Sequence, residues 1–196
     1  MIKLIGTTHI TPSEEIINTI KLERPDIIGV ELCELRLELM VKNPPIVSEQ
    51  KEDDTLIGKI SKAVKKKADE QKIVYGSDMI TASRYALDNN IKLVCVDKNI
   101  MEIKYLMEKI PANEQAGFMK ELSEFENKSL TQQIDEEQVL NELKTKYPIS
   151  FEFLITLREL YIAYKILKEE VNNPNKKILV FLGKGHIKSM EKLLYG

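Results

Sequence analysis

Four short runs of apolar, largely β-branched residues most strongly constrain the fold of this 196-residue chain. They cover residues 2–5, 27–32, 92–96 and 178–182. Continuous apolar runs of this length are typical of strands that are buried on both faces, as in a parallel sheet. The segments between them show helical spacing of apolar residues. The pattern therefore predicts an α/β fold, a small, mostly parallel sheet flanked by helices.

Helices are predicted in the connections between these strands. The segment 11–25 has Thr11 or Ser13 as candidate N-caps, two acidic residues in its first turn and a proline just past its end. An amphipathic helix is predicted over 53–71. Its lysines between positions 59 and 67 are interpreted as a solvated face, because acidic residues flank them.

One domain with a helical elaboration fits the length of the chain, since domains average about 150 residues. The pattern predicts a single domain over 1–196. Within it, residues 99–172 carry helical spacing without a strand, which predicts a helical insertion or cap before the last strand. A helical excursion of this length often forms a dimer contact, so a homodimer is one candidate assembly.

Charge and composition exclude several classes of partner. The 29 basic and 31 acidic residues leave a net charge of −2, so no overall field attracts nucleic acid or an anionic membrane. No apolar run approaches the roughly 20 residues of a membrane helix, and the N-terminal sequence lacks a secretory signal. Cys33 and Cys95 are too few for a disulfide framework. We therefore expect a cytoplasmic protein without nucleic-acid or membrane partners.

The two histidines of the chain occupy matching positions. His9 ends the sequence Gly6-Thr7-Thr8-His9 and His186 ends Gly183-Lys184-Gly185-His186, each after an apolar strand and before a helix. A glycine at a strand exit allows a sharp turn, and the following N–H groups can bind an anion or stabilise an oxyanion. Gly6 and Gly183 are therefore candidate substrate-binding positions.

Two other predicted strands end on carboxylates, Glu31 and Asp97. In an open parallel sheet the carboxyl ends of the strands share one edge, where ligands bind. We therefore expect His9, His186 and these two carboxylates to point into one crevice. Imidazole and carboxylate donors suit a divalent metal such as Mn, Co or Zn, which would activate water. Without a metal, the same groups could act as a general base and its orienting carboxylate.

Three further residues are candidates for the same crevice. Arg36, about one helical turn beyond Glu31, would fix that carboxylate by a charge-assisted pair or face the substrate. Arg158 either extends its charged end to solvent or reaches the crevice. Asp78 either stabilises the first turn of a helix or contributes to substrate binding.

The motifs, in their order along the chain, resemble those of a known family. GTTHITPSEEIINTIKLERPDIIGVELCELR is similar to the opening block of the TraB/PrgY pheromone-shutdown family. GSDMITASRYA, LVCVDKNI, LRELYIAYKI and LVFLGKGHIKSM resemble its later blocks in the same order. The paired Gly-x-x-His motifs also link this family to TIKI proteases and, more distantly, to the EreA/ChaN-like group.

The resemblance implies a metal-dependent hydrolase or a peptide-directed protein, with His9, Glu31, Arg36 and His186 at the shared positions. The leading hypothesis is metal-assisted hydrolysis of a peptide or related acyl bond, with both histidines and Glu31 as metal ligands. In this hypothesis Asp97 orients or completes the site. The alternative is a non-catalytic regulatory protein that binds a peptide or haem-like ligand in the same crevice, since ChaN-like relatives bind haem.

Overall fold

The computed structural model describes residues 1–8, 11–42, 76–129 and 136–196. The strands are β1 (Ile2–Thr7), β2 (Ile27–Val30), β3 (Lys92–Cys95) and β4 (Ile178–Gly183). The helices are α1 (Ser13–Glu23), α2 (Glu34–Leu37), α3 (Ser77–Asp88), α4 (Ile100–Met107), α5 (Ala112–Ser129), α6 (Glu136–Lys146), α7 (Pro148–Phe151), α8 (Leu157–Asn172) and α9 (Ile187–Tyr195). Short π-helical segments follow α2 (Glu38–Lys42) and α7 (Glu152–Thr156), and a 3₁₀ turn (Lys184–His186) precedes α9. The helix predicted over 53–71 and the side chain of His9 lie outside the described residues.

The four strands form one parallel sheet in the order β1-β4-β2-β3. In its register β4 starts level with both neighbours, since Ile178 is opposite Ile2 of β1 and Ile27 of β2. The predicted α/β fold with helices around a parallel sheet is thus confirmed. The last strand in the sequence lies inside the sheet, so its carboxyl end has a strand end on each side.

Helices cover both faces of the sheet, which explains why the strand sequences are apolar without alternation. All six positions of β4 are buried. Side chains alternate between the two faces of a strand. Leu179 and Phe181 accordingly pack with residues of α1 and α3, whereas Ile178, Val180 and Leu182 pack with residues of α8 and α9. The buried residues of those helices are Ile16, Ile20, Met79, Ala82 and Ala86 on the first face and Ile162, Ala163, Ile166 and Met190 on the second.

The first helix begins differently from the prediction. Pro12 is the N-cap of α1, and no side chain caps the helix. The carbonyl of Pro12 accepts the N–H groups of Glu15 and Ile16 at 3.1 and 3.3 Å. The Ser13 hydroxyl lies 2.8 Å from that of Thr81 on α3, so a contact between helices takes the place of the cap.

The chain divides into two compact units, residues 1–99 with 161–196, and residues 100–160. The second unit is helical and is built around Phe118 and Leu143, which are fully buried. Phe118 meets Tyr147 edge to face, with ring centroids 6.1 Å apart. In the described parts of both units, no helix has the combined length and apolar character needed to cross a bilayer.

Candidate functional site

The parallel sheet brings several polar residues to the carboxyl ends of its strands. Glu31 directly follows β2, and its backbone N–H still donates to Phe181 of β4 at 3.2 Å. Beyond β3, the N–H of Asp97 donates to the carbonyl of Leu32 at 3.2 Å. Ladder-like hydrogen bonds therefore continue for one or two residues past the strands and fix the backbone from which these carboxylates extend.

Glu31 and His186 come together at this edge of the sheet. His186 ends the 3₁₀ turn after β4 and stands at the N-cap of α9. Its Nε2 lies 3.5 Å from Oε1 of Glu31, and the two side chains are 15% and 4% exposed. Because β2 and β4 are hydrogen-bonded neighbours, residues that follow them are brought within reach. The structure thus places an imidazole and a carboxylate face to face in a nearly dry setting.

The other oxygen of Glu31 is fixed by the backbone. The N–H of Gly183, the last residue of β4, donates to Oε2 of Glu31 over 2.6 Å. A carboxylate that accepts a backbone N–H is held in one orientation by a charge-assisted hydrogen bond. The N–H of Gly183, a predicted substrate-binding position, is therefore already used to orient Glu31.

Arg36 pairs with Asp97. Its Nη1 lies 3.4 Å from Oδ2 of Asp97, and Oδ1 of the same carboxylate accepts the N–H of Lys98 at 2.7 Å. The sequence analysis expected Arg36 either to fix Glu31 or to face the substrate, and the structure shows an ion pair with Asp97 at the end of β3. The Asp97 side chain is 1% exposed and that of Arg36 is 30% exposed, so the arginine is the accessible member of the pair.

Asp78 is fully buried in the first turn of α3. Its Oδ2 accepts a hydrogen bond from the hydroxyl of Thr7, and its Oδ1 accepts the N–H of Met79 at 2.7 Å. The sequence analysis left Asp78 between a helix-stabilising and a substrate-binding role. In this structure the carboxylate contacts the end of β1, and its burial keeps it from direct contact with solvent.

Sequence reasoning did not single out Thr7, which is buried beside Asp78. Its hydroxyl also lies 3.2 Å from the carbonyl oxygen of Leu182. Thr7 falls within the first Gly-x-x-His motif, so its position was visible in the sequence. A threonine carries no chemical signal by itself, and only the packing of α3 against the end of β1 reveals its contacts.

The first motif glycine does not make the expected sharp turn. Gly6 lies inside β1 rather than after it, and its φ is not positive. A Cβ at this position would come within 2.8 Å of Cγ1 of Ile187 at the start of α9. The absence of a side chain at Gly6 therefore lets α9 pack closely against the strand.

For two predicted site residues the prediction stays untested. His9 lies outside the described residues, so its predicted place beside His186 stays a prediction. Arg158 belongs to the second compact unit, which is described by itself, and its predicted contact with the crevice also stays a prediction. Within the described ranges, no three His, Cys, Asp or Glu side chains are grouped to hold a metal ion.

Comparison of the chain with protein-family models, curated proteins and solved structures finds no match.

Proposed function

We propose that this chain is a metal-assisted hydrolase of a peptide or related acyl bond, similar to TraB/PrgY proteins. In the proposal His9, His186 and Glu31 hold a divalent ion, which would be Mn, Co or Zn. The observation that carries it is the 3.5 Å approach of Glu31 Oε1 to His186 Nε2 at the carboxyl edge of the sheet.

The donor pair fits a metal site in its chemistry and spacing. Two ligands about 2.0–2.1 Å from a tetrahedral zinc ion lie about 3.3 Å from each other. The observed 3.5 Å is close to this value. Ligating carboxylates are commonly held by a further hydrogen bond, and the Gly183 N–H supplies one to Glu31. The third proposed ligand, His9, lies two residues after Thr7 in the sequence. Thr7 is opposite Gly183 in the β1–β4 register.

The surrounding residues have separate tasks in this proposal. A bound divalent ion would lower the pKa of a water molecule and polarise the acyl carbonyl. Asp97 holds the guanidinium of Arg36 by their ion pair. The exposed fraction of Arg36 then binds a substrate carboxylate or the developing oxyanion. Glu31 and His186 are almost excluded from solvent, which strengthens every charge interaction between them.

Metal uptake by purified protein tests the proposal. Metal-free protein would be titrated with Co²⁺, Mn²⁺ and Zn²⁺, with the visible Co²⁺ spectrum and elemental analysis as readouts, and then assayed on a peptide library. We expect one equivalent of metal, lost in His186→Ala and His9→Ala. Glu124→Gln, which neutralises an exposed carboxylate of α5, serves as the control and should bind as the unaltered protein does.

The outcomes distinguish hydrolysis from its alternative. Absence of both metal uptake and cleavage would remove the hydrolase. Stoichiometric retention of a peptide that survives chelation, without turnover, would favour the regulatory binding protein.

A further inference from the structure

The peptide group between Leu182 and Gly183 contacts polar side chains on both sides. Its carbonyl oxygen lies 3.2 Å from the hydroxyl of Thr7, at the end of β1. Its N–H donates to Oε2 of Glu31, directly after β2, over 2.6 Å. Because β4 lies between β1 and β2, this one peptide joins side chains from both neighbouring strands.

A peptide group is planar and rigid, so its C=O and N–H turn together. A rotation that moves the Leu182 carbonyl away from Thr7 also redirects the Gly183 N–H. That N–H orients Oε2 of Glu31, while Oε1 of the same planar carboxylate faces His186. This peptide therefore links the Glu31–His186 pair to the contacts made on the opposite side of β4.

Thr7 is itself held in place by a buried carboxylate. Its hydroxyl contacts Oδ2 of Asp78, whose other oxygen accepts the N–H of Met79. Both Thr7 and Asp78 are buried, at 2% and 0% exposure. The single hydroxyl proton of Thr7 is shared between Oδ2 of Asp78 and the Leu182 carbonyl, and breaking a buried polar contact without a replacement is costly.

We propose that Thr7 and Asp78 are positioning residues for the Glu31–His186 pair and act through the Leu182–Gly183 peptide. The alignment itself is independent of any reaction, whereas its effect on a bound metal rests on the proposed function. Removing the Thr7 hydroxyl takes away one contact of this peptide, which stays in the β1–β4 ladder, and leaves the direction of Glu31 less firmly fixed. Partners of metal ligands typically change metal affinity by about 10- to 100-fold.

The sequence offers a selective probe of this peptide. Leu182–Gly183 is the single Leu–Gly pair in the chain. Metal-free protein labelled with carbonyl-¹³C leucine and ¹⁵N glycine therefore gives one carbonyl–amide correlation peak in NMR. Its carbon reports the contact with Thr7, and its amide proton reports the contact with Glu31. The exchange rate of the same amide with solvent measures how firmly that contact is held.

A set of threonine variants separates the hydroxyl from the packing. Thr7→Val removes the hydroxyl at nearly constant volume, and Thr7→Ser keeps it. Thr19→Val is the matched control, because among the described residues the Thr19 hydroxyl donates to a carbonyl of its own helix, that of Glu15. We expect Thr7→Val to move both the carbon and the amide proton and to speed amide exchange. Thr7→Ser and Thr19→Val should leave the peak near its original position.

The coupling to Glu31 gives a second criterion. In a Glu31→Gln background the contact of the Gly183 amide is already weakened, so Thr7→Val should change the exchange rate less. A Thr7→Val protein whose carbon moves while its amide proton and exchange rate stay unchanged would overturn the proposal. If Thr7→Val does not fold, Asp78→Asn takes its place, and an unmoved amide proton there would overturn the proposal equally.

Co²⁺ titration connects the alignment to the site. We expect Thr7→Val to bind Co²⁺ about 10-fold more weakly or worse, with Thr7→Ser restoring affinity. Equal affinity of Thr7→Val and the unaltered protein would overturn the positioning role. If the unaltered protein takes up no Co²⁺, Mn²⁺ or Zn²⁺ and cleaves no peptide, the proposed function fails, while the labelled peptide peak still decides whether Thr7 and Asp78 position Glu31.

Discussion

The guanidinium of Arg36 lies 3.4 Å from the carboxylate of Asp97 and ties α2 to the end of β3. Only the arginine is accessible to solvent to an appreciable degree, since the Asp97 side chain is 1% exposed. A buried carboxylate needs compensation for its lost hydration, which here comes from the ion pair and from the N–H of Lys98. The pair therefore contributes to the fold as well as to the proposed site.

We predict that Arg36 and Asp97 are energetically coupled. A double-mutant cycle of Arg36→Gln and Asp97→Asn, measured by urea unfolding, should give a coupling of about 1 kcal/mol, because one partner is buried. The pair of Lys165 and Glu34 is a matched control that also involves α2. Its atoms are 3.7 Å apart and the Glu34 side chain is 74% exposed, so its coupling should be below about 0.3 kcal/mol. Equal couplings would contradict the role of burial.

Gly6 and Gly185, one from each histidine motif, should differ in how well they tolerate an added side chain. Gly6→Ala places a Cβ 2.8 Å from Cγ1 of Ile187 and should cost about 1–3 kcal/mol by overpacking. At Gly185 no atom lies within 4 Å of an added Cβ, so Gly185→Ala should change stability by less than about 0.5 kcal/mol. Urea unfolding of both variants checks this order. A neutral Gly6→Ala would mean that α9 can shift away from β1 at little cost.

The predictable part of the structure follows from burial patterns. Runs such as 178–182 are apolar throughout because helices cover both faces of the sheet. The apolar runs alone therefore predict a parallel α/β fold. The rule that parallel strands end at one edge predicts the approach of Glu31 and His186, which are 3.5 Å apart. These inferences need only the order and direction of the strands.

The remaining contacts depend on side-chain directions that no local pattern contains. The sequence suggested Glu31 or the substrate as the partner of Arg36, whereas the structure pairs Arg36 with Asp97, a contact that depends on the direction of α2. Thr7 and Asp78 are 71 positions apart in sequence, so their contact depends on where α3 packs. The N-cap of α1 was missed for a similar reason, because Ser13 bonds to Thr81 of a neighbouring helix.

Replacing Ser83, in the middle of α3, with alanine should raise the stability of the protein. Its hydroxyl is buried, and within the described part of the chain no hydrogen-bond partner reaches it. An unpaired buried hydroxyl costs about 1–3 kcal/mol, and alanine is the stronger helix former. Ser83→Ala should therefore stabilise the protein by about 1 kcal/mol in urea unfolding. Ser13→Ala, which loses the contact with Thr81, should have the opposite sign and cost about 0.5 kcal/mol. A destabilised Ser83→Ala would show that the hydroxyl is satisfied.

The amino-terminal end of the sheet should make stability sensitive to acid. Hydrogen bonds from Lys177 at 2.7 Å and Lys3 at 2.6 Å lower the pKa of Glu23 below its ordinary value of 4.5. A carboxyl group with a lowered folded pKa contributes stability above its unfolded pKa and loses it as pH falls through the folded pKa. The free energy of unfolding of Glu23→Gln, measured in urea across pH 3–7, tests this loss.

Glu23→Gln should be less stable than the unaltered protein above about pH 5, and the difference should shrink steadily as the pH falls below 4.5. Added salt should reduce the difference at neutral pH, because the lysines that surround Glu23 are partly solvated. Glu124→Gln, which removes an exposed carboxylate of α5, serves as the control variant across the same range. The difference in free energy of unfolding between Glu23→Gln and the unaltered protein could instead stay constant from pH 7 to pH 3. That result would mean that the two lysines do not stabilise the ionised carboxylate.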